Sequence, residues 1–256
     1  MSHSQLPIPH SLYPMQWNDE GLILSVRPHG ETAAIVEILT AQHGRFAGLV
    51  HGGRSRRLRP VLQTGNHVDV TWKARLADQL GHMTLELRRG YAAEAMADAL
   101  ALSALSTLAT MARMLPERDP HPSLYEVGMF VLSFLDDPSV WPALYVRWEM
   151  ALLDELGYGM DLSQCAATGA NDRLVYVSPR SGRAVSESAG EPYKDRLLPL
   201  PAFLRDGNAS GGVTTKDLKD AFALTGHFLE ARVLAPTGQT MPDVRARMIE
   251  LMTRGK

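Results

Sequence analysis

Five short stretches in which apolar and polar residues alternate, with turn residues between them, fill the first third of the chain. In residues 82–88, for example, Met83, Leu85 and Leu87 lie on one face of an extended strand. No helical stretch separates the five, which excludes a fold built from strand–helix–strand units. The pattern therefore predicts a small closed sheet. Its predicted strands are residues 21–27, 32–40, 44–51, 67–73 and 82–88.

After Tyr91 the apolar residues recur with the period of an α-helix. Residues 92–115 are rich in alanine and leucine and apolar around much of a helical circumference, which is typical of a buried helix. Pro116 would end that helix. Four further helices are predicted from apolar spacing and candidate capping residues. They cover residues 123–136, capped by Ser123, 139–156, beginning at Ser139, 214–234, capped by Thr214 or Thr215, and 242–252.

These patterns divide the chain into parts of different character. Residues 1–14 are polar, contain three prolines and are predicted to form a flexible leader. Residues 15–91 make up the predicted β-domain and residues 92–256 the predicted helical domain, so the fold class is α+β. The remaining predicted features of the helical domain are an irregular segment at 161–201, a possible hairpin at 174–177 and 184–186, and a flexible loop at 206–212.

Composition excludes several classes of protein. The single cysteine, Cys165, rules out an intramolecular disulfide and a thiol-rich metal site. No apolar run reaches the ~18 residues of a membrane helix, and the N-terminus lacks a secretory signal, so we expect a cytoplasmic protein. The net charge is −2, but residues 17–89 carry ten Lys/Arg against seven Asp/Glu, a net of +3. A basic module joined to an acidic one suits a protein with two kinds of partner.

The usual catalytic motifs are absent from the sequence, so we expect no catalytic residues. There is no phosphate-binding P-loop, no dinucleotide-binding turn, no zinc-protease motif and no nucleophile elbow. Asp136 and Asp137 are a candidate metal pair, but they precede Pro138 at the end of a predicted helix, where acidic residues are common. An enzyme that uses these aspartates and a distant histidine remains a rival interpretation.

A cluster of four arginines follows the Gly52–Gly53 turn at the end of the third predicted strand. Arginine suits phosphate because its planar fork donates two hydrogen bonds at once. A basic loop beside a curved sheet supplies the electrostatic part of many single-strand binding sites. The few aromatic residues near the strands suggest that recognition depends mainly on the DNA backbone. The candidate DNA-binding residues are Arg54, Arg56, Arg57 and Arg59, extended by Arg45, Lys73, Arg75, Arg88 and Arg89 if these share a face.

Six segments of the sequence occur in the same order in a known family. They are residues 15–24 (MQWNDEGLIL), 30–36 (GETAAIV), 43–54 (HGRFAGLVHGGR), 156–165 (LGYGMDLSQC), 198–201 (LPLP) and 224–229 (LTGHFL). As an ordered set spanning about residues 15–251, they resemble the RecO family of recombination mediators.

This resemblance implies an N-terminal OB-like five-stranded β-barrel and a helical C-terminal domain in a protein of the bacterial nucleoid. It implies binding to single- and double-stranded DNA, annealing of complementary strands, and work with RecR and the single-strand-binding protein to load RecA. The tail of the single-strand-binding protein, which is acidic with an apolar end, would dock in an apolar groove rimmed by arginine. Arg113 and Arg147 are the candidates for that contact.

The sequence departs from the family pattern at a metal site. Many relatives carry two Cys-x-x-Cys pairs that bind zinc, whereas the corresponding pairs here are Cys165 with Thr168 and Ser186 with Ala189. One thiol without a nearby histidine cannot complete the four ligands that zinc needs. We therefore expect no zinc, and we expect no other cofactor.

A second rival interpretation is a protein-interaction module whose barrel does not bind DNA. The net charge of −2 favours this rival, and the arginine cluster opposes it. Salt-dependent affinity for DNA distinguishes the two.

Overall fold

The first five strands close into a barrel. The computed structural model describes residues 15–76, 79–206 and 212–254, so the leader predicted at 1–14 and most of the loop predicted at 206–212 lie outside it. Around the barrel the strand order is β1-β2-β3-β5-β4, and β4 pairs with β1 to close it. The predicted closed sheet is confirmed, and its order is OB-like. The strands are β1 (Met15–His29), β2 (Ala33–Thr40), β3 (Gly44–Val50), β4 (His67–Ala74) and β5 (His82–Arg89).

The first strand is longer than the sequence predicts. It begins at Met15 instead of residue 21, and its first part pairs with β4, where Trp17 lies opposite Trp72. Gln16 and Asn18 on its outward side are exposed. This part has few apolar residues, and its extended conformation depends on pairing with a distant strand that the local pattern does not reveal.

The prediction of one continuous helix at 92–115 is wrong, because two helices occupy that stretch. The first, α1 (Tyr91–Ala95), ends before a turn, and the second, α2, covers Ala99–Ala112. The Asp98 side chain accepts a hydrogen bond from the backbone N–H of Leu100 at 2.8 Å, which caps the start of α2. A capping aspartate inside an otherwise helical pattern therefore marks the break.

The remaining long helices lie close to their predicted positions. Ser123 is not the cap of α3, because this helix begins one residue earlier with Pro122 in its first turn. Thr214 is confirmed as the cap of α7, and Asp217 completes a reciprocal capping box with it. The helices are α3 (Pro122–Ser133), α4 (Trp141–Glu155), α7 (Thr215–Phe228), which continues as a π-helical turn to Leu234, and α8 (Asp243–Arg254).

The segment predicted to be irregular contains a small sheet. The predicted hairpin is confirmed as β6 (Leu174–Val177) and β7 (Ala184–Ser186), and β8 (Leu198–Pro199) adds a third strand beside β6. Two short helices flank it, α5 (Glu187–Gly190) and α6 (Ala202–Asp206).

Barrel and helices share apolar packing. Inside the barrel, Ile23, Val36 and Trp72 belong to a closed core of their own. Leu22 and Leu39, by contrast, belong to the core of the helical half, together with residues of α2 and α4. The helices therefore cover part of the outer surface of β1 and β2, and the rest of that surface stays open to solvent.

Candidate nucleic-acid interface

The arginine loop, residues 54–59, is tied to the turn between β1 and β2. The backbone N–H of Arg54 donates to the carbonyl of Thr32 at 3.0 Å. Its guanidinium donates to the carbonyl oxygens of Glu31 at 2.9 Å and Gly30 at 3.3 Å. Gly52, at φ +63°, makes the preceding bend without the strain that a side chain would bring. Arg54 therefore positions the loop, although it remains exposed to solvent.

The other three arginines of the loop project into solvent. Leu58 packs against the barrel core, and the N–H of Arg59 donates to the carbonyl of Ser55 at 3.1 Å, so the loop has a fixed path. Arg56, Arg57 and Arg59 are exposed. Within the described ranges none of them forms an ion pair, which leaves three guanidinium groups available to an anion.

A row of paired residues extends this basic region across the outer surface of the barrel. Each neighbouring pair in the row is a strand-to-strand partner, and such partners point to the same face of a sheet. With neighbouring strands about 4.8 Å apart, the row spans roughly 24 Å around the barrel. The row consists of Arg27 on β1, Ile35 on β2, Leu49 on β3, His82 on β5, Lys73 on β4 and Gln16 on β1.

The row has an apolar centre with charged or polar residues on both sides of it. Arg27 and Lys73 are exposed, whereas Ile35 and Leu49 between them are half-buried. Arg75 follows directly after β4 and is also exposed, so it can extend the Lys73 end. Arg27 is not among the predicted contacts, because only the strand register shows that it shares a face with Lys73.

Two of the predicted DNA contacts have carboxylate partners already. Arg88 forms ion pairs with Glu20 and, at 2.9 Å, with Asp69. Arg89 pairs with Glu94 at 2.9 Å, and its guanidinium lies 4.4 Å from the centre of the Tyr91 ring. The structure therefore does not place these two arginines with the unpaired ones.

Arg45 lies at the junction with the helical half instead of beside the loop. Its guanidinium pairs with Glu37 and donates to the carbonyl of Leu115 at 2.7 Å. Glu37 is buried and also accepts from Arg113 at 2.8 Å. Burial raises the pKa of Glu37, but the hydrogen bond from Arg45 and the charge of Arg113 lower it below its usual value. Arg45 thus connects the barrel to the helical half, and we leave it out of the DNA interface.

Arg113 lines a groove between the barrel and the C-terminal part of the chain. The groove has a volume of about 500 Å³, and apolar side chains such as Met114, Leu115 and Val233 line it. Arg113 is 45% exposed, so its charge is only partly satisfied by Glu37. Arg147, on α4, does not line this groove, and it donates to the carbonyl of Phe203 at 2.8 Å. Arg113 and Arg147, the two predicted partner contacts, therefore do not line the same groove.

The aromatic residues of the barrel serve packing. Trp72 and Phe46 are buried in the barrel core. Trp17 stacks between His43, at 4.0 Å between ring centres, and Trp72, at 5.7 Å. Stacking of DNA bases on these tryptophans would require the barrel end to open.

Asp136 and Asp137 lie in the turn between α3 and α4. The side chain of Asp137 accepts hydrogen bonds from the hydroxyl of Ser139 at 2.6 Å and from its N–H at 2.9 Å. These bonds lower the pKa of Asp137. Among the residues that the structure describes, no group of three or more histidine, cysteine or acidic side chains can hold a metal ion.

Two family models match this chain. One, described as Recombination protein O N terminal, matches residues 15–91, and the other, Recombination protein O C terminal, matches residues 96–240. The chain belongs to the RecO family. The resemblance found in the ordered sequence motifs is therefore confirmed, and with it a place among proteins of DNA repair and recombination.

Several relatives named DNA repair protein RecO are similar over nearly their whole length. A relative from Methylorubrum extorquens is 54% identical over 243 residues, which cover 93% of this chain and 99% of the relative. The one from Methylorubrum populi is 53% identical over 243 residues, with the same coverage. The one from Beijerinckia indica subsp. indica is 52% identical over 231 residues, which cover 90% of this chain and 92% of the relative.

The zinc site that the RecO resemblance implies does not fit the residues present here. Cys165 and Ser186, one from each of the two Cys-x-x-Cys positions, do lie together, because the Cys165 sulfur accepts from the N–H of Ser186 at 3.2 Å. Burial raises the pKa of this thiol, but hydrogen bonds from Ser186 and Thr168 lower it to about 6. Hydroxyl groups and Ala189 cannot replace three thiolates. In this RecO family member, packing and hydrogen bonds hold the segment from Cys165 to Ser186 in place.

None of the helices in the described part of the chain has the length and apolar character needed to cross a bilayer.

Proposed function

We propose that this RecO family member binds single-stranded DNA through its arginine loop and the outer row of the barrel. It would also bind double-stranded DNA, anneal complementary strands, and help load the RecA recombinase onto strands coated by single-strand-binding protein. Catalysis has no part in this proposal, because the protein would act by holding DNA and proteins together.

The distribution of paired and unpaired cations carries the proposal. Arg45, Arg88 and Arg89 are neutralised by carboxylates, whereas Arg56, Arg57 and Arg59 are exposed without a partner among the described residues. Unpaired guanidinium groups in a fixed loop repel each other, and a phosphate chain relieves that repulsion while it releases its counterions. Half-buried Ile35 and Leu49 would lie under sugars and bases.

Annealing follows from the same charge distribution. Two complementary strands repel each other because both carry phosphate charges, and this repulsion is strong within about one Debye length, ~10 Å at moderate salt. A basic surface that holds one strand lowers its effective charge, so a second strand can approach. The protein would therefore accelerate pairing most at low salt.

The groove beside Arg113 is the proposed dock for the tail of the single-strand-binding protein. Its apolar lining suits the apolar end of such a tail, and the partly exposed Arg113 suits its acidic residues. RecR is a further partner implied by the family, and no surface is assigned to it.

The decisive experiment measures binding of a fluorescently labelled single-stranded oligonucleotide by anisotropy across a salt series. It compares the wild type with a variant that carries R56A, R57A and R59A; Arg54 stays because it anchors the loop. We expect weaker binding and a salt slope that is smaller by about 2, since each lost phosphate contact on single strands removes about 0.7.

A matched control removes three arginines from the helical half, with the substitutions R180A, R196A and R247A. These residues are exposed, and their loss changes the net charge by the same amount. If both triple variants lose affinity equally, the effect is one of net charge and the loop is not the site. If the wild type shows no salt-dependent binding at all, the protein-interaction rival replaces this proposal.

A further inference from the structure

Two exposed histidines stack on each other at the open surface of the barrel. His51 follows β3, and His82 begins β5. Their ring centres are 4.7 Å apart and the ring planes differ by 22°. Both side chains are exposed to solvent, so the stack is not part of the core.

The stack lies between the two groups of cations on which the proposed function rests. On one side, His51 comes just before the Gly52–Gly53 turn that leads into the arginine loop. On the other side, His82 is the strand partner of Lys73, and Arg75 follows at the end of the same strand. The histidines therefore connect the loop to the Lys73 end of the row.

Among the described residues, three cations lie on or contact the elements that flank the stack. Lys73 on β4 shares its face, Arg54 begins the neighbouring loop, and Arg118 donates to the carbonyl of Gln79 in the turn before β5. The described acidic residues of this region are Glu31, whose backbone carbonyl accepts from Arg54, and Asp69 and Glu86, which pair with each other further along β4 and β5. A protonated imidazole carries a positive charge and donates from both ring nitrogens, so the two stacked rings can contact a phosphate group.

We infer that His51 and His82 form a phosphate contact that takes up protons when single-stranded DNA binds, so that DNA affinity depends on pH. This inference rests on the proposed function and adds two contact residues and a regulating condition to it. Histidine is the side chain whose charge changes between about pH 5 and 8, so the contact strengthens as the pH falls through that range. The arginines keep their charge throughout, and they supply the part of the affinity that does not depend on pH.

The test measures binding of labelled oligothymidylate at about pH 5.5 and about pH 8, across a salt series at each pH. Thymine does not titrate between these values, so a change reports on the protein. For the wild type we expect about five- to tenfold tighter binding at the lower pH, since each exposed charge contact is worth up to about fivefold. The salt slope should be larger there by about 1.4, which corresponds to two added contacts.

The variant H51Q/H82Q should bind with the same salt slope at both pH values. His227→Gln is the matched control, because His227 lies on α7 and its ring nitrogen contacts the carbonyl of Pro179, in the helical half. This control should keep the pH response of the wild type. Each single variant, H51Q or H82Q, should lose about half of the change in slope, which keeps the test valid if the double variant fails to fold.

The outcomes separate the two proposals. If H51Q/H82Q keeps the full pH response, or if H227Q loses it, the histidine contact is overturned while DNA binding stands. The same holds if the wild type binds equally at both pH values. If the wild type shows no salt-dependent binding at either pH, the proposed function itself fails.

Discussion

Arg45 and Arg57 lie within one short stretch of the barrel, yet they have different roles. Arg45 is held by a buried carboxylate and by a carbonyl of the helical half, whereas Arg57 is exposed and makes no ion pair among the described residues. A buried charge must be paired, because an unpaired one loses its hydration. An exposed charge has no such requirement and stays available for a ligand.

Glu37, the partner of Arg45, should make the stability of the protein depend on pH. Because the pKa of Glu37 is lower in the folded protein than its ordinary value of 4.5, its stabilising effect is full above that pH. The effect is lost as the pH falls through the lower, folded-state pKa. We expect E37Q to lower the free energy of unfolding by about 1–2 kcal/mol at neutral pH. Urea unfolding from about pH 7 to pH 3 would show the difference from wild type shrinking toward the acid end; a constant difference would contradict this.

The sequence reveals the arginine cluster but not the state of each arginine. Arg54, Arg56, Arg57 and Arg59 are close in the chain, so their shared location needs no structural knowledge. The carboxylates that occupy other arginines are distant in sequence, since Glu20 pairs with Arg88 across 68 positions. Ion pairs between residues distant in sequence therefore determine which cations remain available to a ligand. The local sequence pattern does not reveal these pairs.

Removal of metal should leave this protein unchanged. Cys165 is the single thiol among the four positions that could form a zinc site, and its sulfur already accepts the N–H of Ser186. We expect purified protein to contain much less than one zinc per chain, measured by elemental analysis. Its thermal unfolding should be the same with and without a strong chelator. A midpoint that falls on chelation would show a metal site that these residues do not predict.

At the scale of elements, the sequence shows where strands occur better than how they pair. Alternation located all five barrel strands, because each has one face in the core. The row from Arg27 to Lys73 depends on the register of four strand pairs, and a shift by one residue would turn each side chain to the other face. Local sequence does not fix that register. The first part of β1 is not predicted because its pairing with a distant strand determines it, and the break between α1 and α2 is not predicted because a single capping aspartate is a weak signal within a helical pattern.

A buried ion pair joins three helices of the C-terminal half. Glu149 on α4 is fully buried, and it accepts hydrogen bonds from Arg245 on α8 at 2.7 and 2.8 Å. The hydroxyl of Thr225 on α7 donates to the same carboxylate at 2.6 Å. Arg245 also donates to the carbonyl of Phe222 at 2.8 Å and to the hydroxyl of Thr225 at 3.2 Å. The carboxylate of Glu149 thus contacts both of the other helices.

Loss of that carboxylate should strongly destabilise the helical half. We expect E149A to lower the free energy of unfolding by about 3–5 kcal/mol, because it leaves the guanidinium of Arg245 buried without a counter-charge. Urea denaturation followed by circular dichroism measures this change. Glu126→Ala on α3 is the control, since Glu126 is exposed and its loss should cost less than about 0.5 kcal/mol. Equal effects of the two substitutions would contradict the role assigned to Glu149.

At the scale of the whole molecule, the groove beside Arg113 lies where the barrel meets the C-terminal part of the chain. Residues of β3, of α2 and of the segment after the π-helical turn all line it. A ligand in this groove would therefore contact both halves of the protein at once. If the barrel binds DNA as proposed, such a ligand would lie beside the DNA-bound half of the protein.

Because Arg113 lines the groove and Arg147 does not, we expect substitutions of the two residues to affect peptide binding differently. R113A should weaken binding of an acidic peptide with an apolar C-terminal end by about tenfold, because a partly desolvated charge contact is worth more than an exposed one. R147A should leave this affinity unchanged, since Arg147 does not line the groove. Isothermal titration of both variants with the same peptide tests this. Equal weakening would point to a docking surface elsewhere on the helices.

The apolar contact between the halves has a consequence for how this protein can be divided. Leu22, Leu24 and Leu39 face the helices from outside the barrel, so a fragment of residues 15–91 would expose three leucines on one side. Such a patch drives association of the fragment with itself. The barrel and the helices therefore form one unit of solubility, because the barrel alone would carry an adhesive face.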